Sequence, residues 1–513
     1  MANEYTTSQR DSAWRIDFSV EGVLVASLAI FGPLIVAAAL LTSGGNVLAT
    51  AAVAATLFIV VLSCCRLDWG FFFFIGMVLL FDQYEIPGFD SWTFKPLYFL
   101  NIKEISYLPH WENAVANPLE LQLALLILVW LVLAGLKGEA RIRSISVWGS
   151  ALLFFLALAC SFAYGLWRGG DFLPALWEVR ALMYLGLLYV LVPQIIQTRE
   201  QAHTLLWVCI GAISFKAFQG IVRFAELGFS FAGSMTVTNH EDPVFILDLL
   251  IFLLALVIFD ARTNQRVALM VLLLPLLFGF FTGQRRSAYA AIVPALAAFV
   301  AVIPKSGRRM LLRTVVPVLG VLALYCGIFW ESDSKFASPV KLVKTGMSVA
   351  PEAAGERYYS NLYRELEKFD LATTVQHHPV AGIGFGNKYE MPLPLAKIDF
   401  PLRDYISHNE ILWLLVKMGA VGFCFFWLFM DSFVFKASWT LARLNDPYLK
   451  AIAAVSVAAV VNQMIVSNYD LQLTFYRNMI FLGTLMGLLS ALEPIDRRDG
   501  GKGAQHNFGE TPA

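Results

Sequence analysis

The chain has 513 residues, 58% of them hydrophobic and 15% charged, with zero formal net charge and a mean hydropathy of +0.65. Soluble domains run at about 45–50% apolar and about 25% charged, so a water-soluble fold cannot hide this much apolar surface; disorder, collagen and a disulfide scaffold are excluded too. The balanced charge gives no case for nucleic acid as a partner. What remains is an all-α polytopic integral membrane protein.

A spanning helix needs about 20 mostly apolar residues, and about 14 segments qualify. In chain order they are Gly22–Thr42, Asn46–Cys64, Trp69–Asp82, Asn117–Leu136, Ser146–Leu166, Val179–Gln197, Gln201–Ile221, Glu241–Asp260, Val267–Phe281, Ser287–Ile303, Met310–Trp330, His408–Met430, Pro447–Val466 and Leu471–Leu492. The third is short for a span. No alternating strand pattern suggests an outer-membrane barrel. The six cysteines fall in or beside apolar stretches with neither zinc nor disulfide spacing, and read as small buried hydrophobes. No cleavable leader is visible, because the polar first stretch leads straight into a full-length span.

Orientation follows from Lys and Arg in short loops. Lys137, Arg141 and Arg143, then Arg262 and Arg266, then Lys305, Arg308, Arg309 and Arg313, then Lys436, Arg443 and Lys450 alternate consistently along the chain. That side is expected to be cytoplasmic. Arg10, Arg15, Arg497, Arg498 and Lys502 put both termini there, as residues 1–21 and 493–513. The bundle then occupies 22–330, with an outer loop at 83–116, and 408–492, with a large outer loop at 331–407 between helices 11 and 12. Within that loop, Tyr359, Leu362, Tyr363, Leu366 and Phe369 recur at helical spacing, so Glu356–Val375 reads as an amphipathic helix on the bundle or the membrane surface. The tail after Asp496 is polar and Gly-rich and is expected to be unstructured.

Charges inside or at the outer ends of spans are functional candidates. Arg180 opens the sixth span, Lys216 and Arg223 end the seventh, Arg285 and Arg286 sit in a tight outer turn, and Arg477 lies near the outer end of the last span. Either each pairs locally or reaches to lipid headgroups, or together they converge on an anion; guanidinium forks suit phosphate. His408 starts the twelfth span at the bilayer edge and is either an ordinary helix-start residue or a proton acceptor. Asp248 and Lys417 lie deep in spans and either pair with each other or line a polar cavity. Gly382, Gly384 and Gly386 lack the strand and helix of a dinucleotide fingerprint and read as a tight turn. His377 and His378 are poor metal ligands without a third partner, and no carboxylate pair of metal-holding type is found.

These pieces resemble the O-antigen ligase/polymerase superfamily. The run from His408-Asn409-Glu410-Ile411-Leu412 to Gly419-Ala420-Val421-Gly422 is similar to its His-Asn-x-x-Leu run ending in Gly-x-x-Gly. His378-Pro379 leads a glycine turn like the family's, Gln284-Arg285-Arg286-Ser287-Ala288 resembles its Ser-Arg-Gly/Ser-Ala segment, and Thr238-Asn239-His240 stands where the family often has Pro-Asn. Gln284 and the doubled arginine depart from the pattern, and Arg286 is preferred as the counterpart because Ser287-Ala288 follow it; Lys417 replaces a position that is often Glu.

The resemblance implies a GT-C-like bundle in the bacterial inner membrane with its site facing the periplasm. It implies a metal-independent, inverting glycosyltransferase without cofactor. The donor would be a glycan on a polyprenyl diphosphate, and other polysaccharide assembly proteins are possible partners. His408 would be the general base, and Arg180, Arg223, Arg285, Arg286 and Arg477 would hold the diphosphate. Asn409, Glu410, Arg364, Tyr405 and His378 would touch glycan. Polymerisation of surface-polysaccharide repeat units is favoured over ligation of finished glycan to lipid A–core. A flippase or transporter is the alternative of another class; it predicts midplane charges and related halves, whereas most candidate charges here sit at the outer edge.

Overall fold

The computed structural model describes residues 20–86, 88–105, 115–136, 142–228, 237–283, 285–332, 340, 356–396 and 400–506. Arg10, Arg15, Lys137, Arg141, Gln284 and much of the first half of the large loop lie outside them. Among the described residues there are helices and no strands. The chain divides into two compact units, Met1–Phe74 with Pro96–Arg141, and Ile75–Lys95 with Ile142–Ala513. The first contains α1 (Val20–Thr42), α2 (Val47–Cys65), most of the boundary helix α3 (Leu67–Leu80) and α4 (Pro118–Leu136).

The second unit carries α5 (Trp148–Trp167), α6 (Phe172–Ile195), α7 (Arg199–Glu226), α8 (Asp242–Ile258), α9 (Asn264–Val271), α10 (Leu273–Thr282), α11 (Arg286–Val302), α12 (Lys305–Ile328), α13 (Glu356–His377), α14 (Glu410–Arg443), α15 (Pro447–Ser467) and α16 (Tyr476–His506). Among the described residues seven helices are long and apolar enough to cross a membrane, or eight if the bent α9–α10 pair is one span; four further apolar helices are shorter. Every predicted span falls on a helix, the ninth on two. Its break, bent by 53°, follows from Pro275, which has no N–H to give the turn before it. The predicted sixth span starts late: α6 opens at Phe172, so Arg180 lies inside the helix and not at its mouth. The last helix continues past Asp496 to His506, since extending a formed helix costs far less than nucleating one.

The centre of this unit is α15 and α16, each 83% buried over its spanning window. Small residues allow that closeness. Gly483 and Gly487 stand four apart on α16, and a Cβ at Gly483 would come within 2.6 Å of Leu185 O on α6. Backbone contact of this kind is how helices pack where water supplies no driving force. At one end of the bundle Arg199 pairs with Asp446 at 2.7 Å, Tyr448 with Gln265 at 2.8 Å, and Arg143 with Gln197 at 2.6 Å. The turns holding His240, Arg285, His408 and Asp470 meet at the other.

α14 would be about 51 Å long if straight, from its 34 residues. It is interrupted at Gly419, whose φ of 63° and ψ of −176° are non-helical. The freed backbone is taken by the glycine turn. Ile383 and Gly384 donate to the carbonyls of Val416 and Lys417 at 2.9 and 3.0 Å, and Ala420 donates to Pro379 O at 2.8 Å. Gly382 has φ +70°, and a Cβ there would lie 2.5 Å from Val416 O. The turn is therefore a clasp on a broken helix, and the backbone it approaches is the protein's own.

Candidate active site

The His408-Asn409-Glu410 run separates into three tasks. Asn409 is the N-cap of α14: its side-chain oxygen accepts Leu412 N–H at 2.9 Å, and its amide donates to Asn468 at 3.2 Å. Glu410 is fully buried and accepts the backbone N–H groups of Gln472, Leu473 and Thr474 and the Thr474 hydroxyl, which pins the α15–α16 turn. His408 keeps a partly accessible side chain, 23% exposed, that is not committed to a cap or a turn.

α13 packs on α14 and supplies the surroundings of that ring. Glu367, 2% exposed, accepts His408 N–H at 2.9 Å through Oε2. Its two oxygens also stand 3.2 and 3.3 Å from His408 Nδ1. The Tyr363 ring meets the imidazole edge-on at 5.6 Å.

Beside them lies Asp470, in the α15–α16 turn. His240 Nδ1 is 3.5 Å and Arg285 Nη1 3.9 Å from its Oδ2. Burial would raise the Asp470 carboxyl, but the His240 contact and the charges of Arg285 and Arg364 outweigh it and hold it well below the usual range. Burial, then Arg285, pushes His240 down, and His408 adds to that push. Burial likewise draws Arg285 below its usual value, against the pull of Asp470 and Glu241. The Nε atoms of Arg285 and Arg364 are buried without a hydrogen-bond partner. Two guanidinium groups with donors to spare, one carboxylate and one open imidazole thus share a site, the composition expected of an anion pocket with a proton acceptor at its edge. Arg286, at the first turn of α11, donates to Asn361 of α13 at 2.9 Å.

Other sequence candidates stand elsewhere. Arg477 is fully buried; it donates to Val78 O and Leu79 O at 3.1 and 2.7 Å and to Asp242 at 2.8 Å, with Glu241 3.7 Å away. Lys216 is paired with Asp82 at 2.6 Å. Arg223 lies over the Phe89 ring at 4.9 Å, with Glu226 at 3.6 Å. Arg180 is buried in α6. His378 faces Glu390 at 3.7 Å beyond the end of α13, and the exposed His377 bonds the same carboxylate at 2.7 Å. Tyr405 is buried, its hydroxyl on Asp171 at 2.5 Å and its carbonyl accepting from Trp413 at 2.8 Å; that ring offers no open face to a sugar. Lys417 and Asp248 do not pair. Lys417 is joined to Glu178 at 2.6 Å, and Asp248 accepts from Asn462 at 2.9 Å.

Glu367, His240 and Asp470 were not singled out as site residues by the sequence. Glu367 had one signal, its place four residues after Tyr363 on an amphipathic helix; His240 closed the Thr238-Asn239-His240 segment of the resemblance, and Asp470 had none beyond lying at a span end. Among the described residues no three His, Cys, Asp or Glu side chains gather where a metal ion would fit.

A family model described as O-antigen ligase matches residues 268–427. A search of curated proteins gave no match. The matched stretch contains Arg285, Arg286, Arg364, Glu367 and His408 of this site together with the glycine clasp, whereas His240 and Asp470 lie outside it. Residues 268–427 are thus similar to the O-antigen ligase family, which supports the resemblance to the O-antigen ligase/polymerase superfamily.

Proposed function

We propose that the protein is a membrane glycosyltransferase that moves a glycan from a polyprenyl-diphosphate carrier to a sugar hydroxyl on the periplasmic side of the bacterial inner membrane. The observation that carries this reading is the gathering of the partly exposed His408 with His240, Asp470 and the half-buried Arg285 and Arg364. His408 takes the acceptor hydroxyl proton. The acceptor oxygen attacks the anomeric carbon, and the bond from that carbon to the diphosphate oxygen breaks with its electron pair leaving on the carrier. Attack opposite the leaving group inverts the centre. Arg285, Arg286 and Arg364 neutralise the charge that develops, a form of stabilisation that is commonly the largest catalytic contribution, and Arg180 is the remaining candidate for this role. No step asks for a divalent metal. Arg223 and Arg477, held by local partners, take no part.

In this reading the chain crosses the membrane about 14 times, with the Arg199–Asp446 end cytoplasmic, and the loop at 331–407 covers the site. Polymerisation of repeat units is the favoured reaction. Carrier-linked intermediates test it in cells. Loss of a polymerase leaves single repeat units on the carrier; loss of a ligase strands long chains there. Single units in cells producing only His408→Ala support the polymerase, long chains replace it with the ligase, and normal surface glycan would contradict both.

A further inference from the structure

We propose that Glu367 is the positioning residue for His408: from the loop helix α13 it holds the imidazole in the Nδ1–H form and leaves Nε2 as the nitrogen that accepts a proton. This rests on the reading of His408 as the base.

The geometry leaves one consistent arrangement. The backbone N–H of His408 points at Oε2 at 2.9 Å, so the carboxylate group sits against both the main chain and Nδ1, at 3.2 and 3.3 Å. A carboxylate only accepts, so a ring nitrogen facing it must carry the hydrogen. In neutral imidazole the other nitrogen then bears the lone pair, and no hydrogen bond within the protein occupies Nε2 among the described contacts. Tyr363 packs edge-on against the ring at 5.6 Å. Once Nε2 is protonated, the carboxylate faces an imidazolium and stabilises it. Glu367 is 41 residues from His408 in sequence and on a different helix, so the base is complete only when α13 is seated. Bonds to that helix from the following segment, Leu393 N–H donating to Asp370 at 3.1 Å and Glu390 N–H donating to Thr374 at 3.0 Å, hold it there.

Glu367→Gln separates positioning from packing, because the amide keeps the shape but has one acceptor. With that acceptor on the His408 N–H, the NH₂ faces Nδ1 and forces the hydrogen to Nε2. In protein labelled with ¹⁵N-histidine and held near pH ~9, where an ordinary imidazole is neutral, the His408 signals, identified by their loss in His408→Ala, should show Nδ1–H in the wild type and Nε2–H in Glu367→Gln. With an undecaprenyl-diphosphate oligosaccharide as donor, kcat should fall at least ~100-fold with KM unchanged, and Glu367→Asp should recover part of it. A wild-type Nε2–H signal overturns the proposal, as does unchanged turnover in Glu367→Gln or a loss seen only in KM. Full turnover in His408→Ala would instead remove the base assignment beneath it, and the tautomer result would still be read on its own.

Discussion

At the scale of single residues, the charges around His408 divide into those that are spent and those that are available. Arg477, fully enclosed, is spent on two carbonyls and Asp242, and its one unbonded nitrogen, Nη1, faces Glu241 at 3.7 Å, whereas Arg285 and Arg364 are only partly buried and each keeps an unpartnered Nε. A buried donor without a partner costs about 1–3 kcal/mol, so an anion entering the site recovers that cost. Arg477→Gln leaves Asp242 and Glu241 buried without their cation, so its melting temperature in detergent should fall by several degrees; an unchanged melting temperature would contradict the assignment.

Sequence reading finds such residues unevenly, and the reason is physical. A charge in an apolar run is visible as an anomaly, which is how Arg285, Arg286 and Arg477 all came to notice. What neutralises it is not visible, because Asp242 lies 235 residues before Arg477 and Glu178 lies far from Lys417. His408 was legible from its place at a helix start after a long polar loop. Its partner Glu367 was one acid among several on an exposed-looking helix.

At the scale of elements, the break in α14 and the glycine clasp are one device. The spacing of Gly382, Gly384 and Gly386 showed a tight turn, but only the fold shows that the turn fills the gap left at Gly419. Gly384, at φ +78°, packs directly on Gly165 of α5. Gly384→Ala should lose at least ~2 kcal/mol, from left-handed strain together with the clash, seen as a lower melting temperature and less folded protein. Gly211, which has nothing within 4 Å of a built Cβ, is the control: Gly211→Ala in the middle of α7 should be neutral or slightly stabilising. Equal behaviour of the two variants would mean that the clasp does not bear on stability.

At the scale of the whole molecule, the positions of the helices were readable because about 20 apolar residues admit little else in a bilayer. Their breaks and their partners were not, since those depend on Pro275 and Gly419 acting within a packed bundle. The proposed orientation predicts labelling from one side. In a cysteine-free background, Ser360→Cys on the exposed face of α13 should react with a membrane-impermeant maleimide applied to the periplasm, and Ser306→Cys on the exposed start of α12 should not. The reverse pattern would turn the site toward the cytoplasm and remove it from the proposed donor.

The central claim is that the His408 imidazole and the Arg285–Arg364 pair act on one diphosphate-linked glycan. Purified protein in liposomes, given a defined polyprenyl-diphosphate oligosaccharide with chelator present and its products separated by size, tests it most directly. The account predicts longer glycans and released polyprenyl diphosphate from the wild type, undiminished by the chelator, and neither from His408→Ala that inserts and melts normally. Transfer by His408→Ala at the wild-type rate would contradict it.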